Sequence, residues 1–152
     1  MRFALVTLLC THVLTASGGT AARADDKANV EKELKKFQGA WTFESSETGG
    51  KKLQADELKG LIVTFEGNKH TVKKDDKVIQ VGTQKLDASK SPKTIDVTLT
   101  EGPSKGAVIL GIYEISGDTL KVCFDPEGKK RPTQLTSASG SETLVVHKRV
   151  KK

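Results

Sequence analysis

The sequence predicts an all-β protein: an eight-stranded antiparallel up-and-down barrel preceded by a short helix. Three observations carry this prediction. From residue 40 onward, apolar and polar residues alternate with period two in segment after segment, as in strands with one dry and one wet face. The pairs Gly67-Asn68 and Gly117-Asp118 separate neighbouring segments, and both tolerate the positive φ of tight hairpin turns. Eight short segments joined in this way suit a closed barrel, which leaves no open edge. A two-sheet sandwich is the alternative.

The first element is an address. Arg2 and the apolar run "FALVTLLCTHVLTA" precede "AARA", Ala21 to Ala24, which is the layout of a secretory signal with small residues at the cleavage site. Thr and His interrupt the run, and it is shorter than the roughly 20 residues a membrane-spanning helix needs. Cleavage after Ala24 is expected, leaving one domain over residues 25–152, with no membrane span and a periplasmic or extracellular location.

Next, "DDKANVEKELKKF" predicts a helix over 25–37, with Val30, Leu34 and Phe37 on one stripe and Gly39 as its stop. Strands are expected at 40–48, 60–66, 69–74, 77–86, 94–100, 107–115, 119–124 and 142–150. A single helical turn is expected in "LQADELKG". Within the strands, Trp41 and Phe43 share a face, as do Leu61, Val63 and Phe65. Ile95, Val97 and Leu99 form a third such set, and Leu120, Val122 and Phe124 a fourth. This alternation places Cys123 on the polar face of its strand. The facing of the last strand stays open, because Leu144, Val145 and Val146 are all apolar.

Composition excludes several functions. Without Arg2 and Arg23, 23 basic residues face 19 acidic ones, a net charge of +4. The lysines are interleaved with carboxylates and aromatics are scarce, unlike the basic faces and stacking platforms that bind nucleic acid. Cys10 leaves with the signal, so Cys123 has no intramolecular partner.

"GAWTFES" early and "LVVHKRV" late resemble the lipocalin pattern of Gly-x-Trp on the first strand and Arg near the last. More specifically, "FQGAW", "GKKL", "ELKGLIVTFEGNK", "IDVTLTEGPSKG", "GIYEISGDTLKVCF" and "RPTQL" resemble a lipocalin-like domain family abundant in planctomycete bacteria. Leu135 stands where that family usually carries Phe. The resemblance spans nearly all of residues 25–152 and implies a lipocalin-like barrel, but the family carries no established activity. It further implies that Trp41 closes one barrel end with Arg149 across its indole face, a cation–π contact.

No catalytic constellation is visible. Cys123 could pair with His70 or His147 only as thiol and imidazole, and neither histidine sits in a recognisable motif. The same three residues are too scattered for a local zinc motif. "EGPSKG" lacks phosphate-loop spacing and is expected to be a hairpin loop. No cofactor is implied, and the chain is expected not to be an enzyme.

What remains is the barrel interior, which in eight-stranded barrels is either filled or holds one small ligand. Phe43, Val63, Phe65, Val97, Leu99, Tyr113, Val122 and Phe124 are the candidate core or cavity residues. Tyr113 offers a hydroxyl either to the cavity mouth or to backbone. The sequence thus points to a monomeric exported module for a small apolar or amphipathic molecule. An envelope interaction domain with a filled core is the alternative.

Overall fold

A computed structural model describes residues 21–138 and 140–151; most of the expected signal segment lies outside them. Helix α1 (Ala21–Phe37) leads into β1 (Gly39–Thr48), a two-residue strand β2 (Lys51–Lys52) and the single turn α2 (Ala55–Leu58). Then follow β3 (Leu61–Glu66), β4 (Lys69–Lys74), β5 (Lys77–Asp87), β6 (Lys93–Glu101), β7 (Val108–Ser116), β8 (Thr119–Asp125) and β9 (Thr143–Arg149). Strand bounds fall within two residues of the expected ones. Within the described residues the helix already runs from Ala21, four residues before the expected start.

The strands pair antiparallel in the order β1-β3-β4-β5-β6-β7-β8-β9, and β9 pairs back onto β1. An eight-stranded barrel is therefore closed, with β2 an appendage on β1. Register follows the alternation: Trp41 lies opposite Val63 and Arg149, Phe43 opposite His147, and Phe65 opposite His70. A bulge between Phe43 and Ser45 shifts the phase of β1, so Ser46 rather than Ser45 lies opposite inward-facing Val145. This settles the last strand, whose Val145, His147 and Arg149 face inward. At the β4–β5 turn, Asp75 and Asp76 both adopt positive φ (48° and 65°), the conformation of a primed hairpin turn.

One side of the barrel wall is covered from outside. Residues 126–138 run along the outside of the wall, anchored at their start by the Asp125 carboxylate. It accepts the backbone N–H of Glu127, Lys129 and Lys130 at 3.1, 2.9 and 2.7 Å. Arg131 Nη1 donates to the Gly111 carbonyl at 2.7 Å, and Ser137 Oγ to Glu47 Oε1 at 2.7 Å. This strap corrects the reading of Cys123: its outward face is dry, because the strap buries it completely. The thiol donates to the Thr136 carbonyl at 3.3 Å, and burial pushes its pKa up.

Candidate functional site

The two ends of the barrel interior differ in chemistry. At the first, α1 lays its C-terminal turn across the opening. Phe37 is fully buried and meets Phe65 and Tyr113 edge-on, with centroids 5.3 and 5.1 Å apart. Trp41, also fully buried, donates its indole N–H to the Phe37 carbonyl at 2.7 Å. The Arg149 guanidinium lies 4.1 Å from the Trp41 ring centroid. From there it donates to the carbonyls of Gln38 and Lys36, both at 2.7 Å, so it satisfies two carbonyls that the helix end leaves free. The Gln38 amide exchanges two hydrogen bonds with the Gly67 backbone at 2.7 and 3.0 Å, tying the β3–β4 turn to the helix. These contacts seal the end.

The sealed end also holds a carboxylate that the sequence reading overlooked. Glu33, in the apolar stripe beside Leu34 and Phe37, is 5% exposed. It accepts from Lys36 Nζ at 2.5 Å, Lys93 Nζ at 3.0 Å and the Tyr113 hydroxyl at 3.1 Å. Burial alone would raise its pKa, but the bonds from Lys36, Lys93 and Tyr113 outweigh burial and hold it below the usual range. Burial first, and the Glu33 charge second, push the Tyr113 hydroxyl upward. Tyr113 therefore serves neither the cavity mouth nor backbone. It is part of the seal.

The other half of the interior is hollow. A cavity of about 350 Å³ is walled by Phe43, Val63, Phe65, Val97, Val122 and Phe124 among other apolar side chains. Leu61, Ile79 and Pro126 also border it, and Ile79 is 41% exposed. Of the eight interior residues expected from sequence, six line this cavity; Leu99 and Tyr113 lie in the packed core instead.

Three buried polar side chains interrupt the apolar wall: His70 on β4, Gln84 on β5 and His147 on β9. His70 Nδ1 lies 3.2 Å from Gln84 Oε1, whereas Gln84 Nε2 and His147 Nδ1 have no hydrogen-bond partner in the protein. Burial lowers both imidazole pKa values, that of His147 to about 4. Both rings are neutral at pH 7. The His147 ring meets Phe43 edge-on at 4.5 Å.

The backbone makes room for these rings. A Cβ on Gly82 would come within 2.6 Å of His70 Cε1, and one on Gly111 within 2.7 Å of Phe124 Cδ1. Glycine within a strand signals such close approach, so Gly82 and Gly111 were clues to the interior. His70 is legible by alternation, sharing a face with Val72, whereas the facing of His147 follows only from the register of β9 on β1. Cys123 faces outward under the strap, so the barrel wall separates its thiol from both inward histidines. Among the described residues, no group of three or more His, Cys, Asp or Glu is placed to hold a metal ion.

No protein-family model matches the chain, and no curated protein matches it by sequence.

Proposed function

We propose that this protein is a binding module that holds one small, largely apolar molecule inside its barrel. The observation that supports this most directly is the cavity of about 350 Å³. Its apolar walls are punctuated by Gln84 Nε2 and His147 Nδ1, two polar atoms with no partner in the protein. Ligand pockets have this make-up, and their volumes start at about 300 Å³. Buried polar atoms without partners cost about 1–3 kcal/mol each, a cost a ligand would relieve. A filled core, as an interaction domain requires, would have no use for this volume.

The same reading takes the protein as exported and monomeric, with residues 1–24 removed, and as a carrier rather than an enzyme. The resemblance to planctomycete lipocalin-like domains belongs to this reading and names no ligand.

Native mass spectrometry of the purified protein, together with titration of the fluorophore N-phenyl-1-naphthylamine, tests it. A saturable one-to-one signal is expected. Val97→Phe, which pushes a ring into the cavity, is expected to weaken uptake at least tenfold while the protein stays folded by circular dichroism. A barrel that carries nothing and takes up no probe would end the proposal.

A further inference from the structure

We infer that the molecule held in the cavity is uncharged and presents a carbonyl or hydroxyl oxygen to Gln84, so that anionic and cationic amphiphiles are rejected. This inference rests on the binding reading above and narrows its ligand class. It starts from the wall chemistry: no Lys, Arg, Asp or Glu is among the residues that line the cavity. The two groups there that could carry charge, His70 and His147, are each 5% exposed and held neutral at pH 7 by burial.

An ion brought into such a space loses its water and meets no counter-charge, so it is strongly disfavoured against a neutral molecule of the same shape. The buried carboxylate Glu33 lies elsewhere, at the sealed end, where the half-exposed Lys36 and Lys93 and the Tyr113 hydroxyl bind it. They are already paired and do not border the cavity.

The polar groups of the cavity form two stations. His70 and Gln84 sit on adjacent strands β4 and β5, while β9 with His147 stands across the barrel, beyond β3 and β1 on one side and β6 to β8 on the other. The Gln84 carbonyl oxygen is turned to His70 Nδ1 at 3.2 Å, which leaves the amide N–H₂ as the unpartnered group. That donor calls for an acceptor oxygen. On the opposite wall, neutral His147 offers an unpartnered Nδ1, which accepts from or donates to a second polar group according to its tautomer. Apolar surface fills the space between the stations, so a single polar end with a hydrocarbon body satisfies the first station.

The experiment displaces N-phenyl-1-naphthylamine from the purified protein at pH 8 with four ten-carbon competitors: 1-decanol, 2-decanone, decanoate and decylammonium. The alcohol and the ketone are expected to displace the probe, and the two ions to be at least about a hundredfold weaker. Gln84→Leu is expected to weaken the alcohol and the ketone about tenfold, the value of one buried hydrogen bond. Gln84→Met repeats the measurement with a more conservative side chain, each variant's fold being checked by its thermal transition. Equal displacement by all four compounds, or preference for either ion, would overturn the inference while leaving the binding reading intact. Unchanged alcohol and ketone affinities in both folded variants would also overturn it. Failure of the wild-type protein to take up the probe would remove the binding reading, and this inference with it.

Discussion

The sealed end and the hollow half of this barrel solve opposite problems with the same kind of wall. At the sealed end the buried polar side chains are partnered: Arg149 serves two carbonyls and the Trp41 ring, and Glu33 accepts three hydrogen bonds. In the hollow half, Gln84 Nε2 and His147 Nδ1 have none, and about 350 Å³ is unfilled. Unfilled volume and unmet hydrogen bonds both cost stability. The difference teaches that stability is concentrated where the helix plugs the barrel, and that the other half forgoes some of it, as ligand sites commonly do.

The largest expected effect tests the sealed end. Trp41 is fully buried beneath Arg149 and bonded to the Phe37 carbonyl. Trp41→Ala removes that packing and leaves the guanidinium over a void, so urea unfolding should show a loss of about 3–5 kcal/mol. A loss below 1 kcal/mol would mean that the plug does not carry the stability assigned to it here.

The hollow half should reveal itself through acid. His147 has its pKa lowered to about 4 by burial, with the Thr42 backbone only partly opposing, whereas in the unfolded chain it titrates near 6.5. The unfolded state therefore binds the proton first as pH falls. The contribution of His147 is complete above about pH 6.5, declines down to about pH 4 and amounts to about 3 kcal/mol. His70, whose pKa burial also lowers, adds a decline of the same sign. His147→Phe keeps a ring against Phe43 and should make this decline shallower, leaving the part due to His70, read as unfolding midpoints from pH 7 to pH 4. A decline of undiminished depth in the variant would place its origin elsewhere.

Most of the barrel was legible because period-two alternation reports facing directly. Trp41, Val63, Val97 and Val122 all lie inside where alternation puts them. The errors have a common physical source. Alternation says which face a residue takes but not what covers that face. Cys123 was expected to be wet because its strand face was polar in pattern, and the strap of residues 126–138, which has no periodicity of its own, made it dry. Glu33 was passed over because a carboxylate in an apolar stripe looks like a defect until Lys93 and Tyr113, distant in sequence, supply its partners. The cavity itself could not be inferred, since volume depends on how six or more walls meet. Only Gly82 and Gly111, small residues inside strands, marked where rings crowd the backbone.

The smallest effect gives the sharpest contrast between the halves. Glu33→Gln keeps the shape of the plug and removes its charge. Lys36 and Lys93 are left without a counter-charge, but their side chains are 44% and 36% exposed, so water recovers part of what they lose. The expected cost at pH 7 is therefore modest, about 1–2 kcal/mol. Its pH dependence is the more telling readout. The Glu33 pKa is lowered on folding despite its burial, so its contribution is present above the ordinary carboxylate value and is lost as pH falls through the folded one. Wild-type stability should thus fall in two stages. The first is carried by His147 with His70 adding to it, and begins as pH falls below about 6.5. The second, below about 4.5, is carried by Glu33 together with Asp87 and Asp125, whose carboxyls are also held low. Glu33→Gln should weaken the second stage and leave the first, and His147→Phe should do the reverse. If either substitution altered both stages, the two ends would not be independent, and stability could not be apportioned between a paired end and an unpaired one.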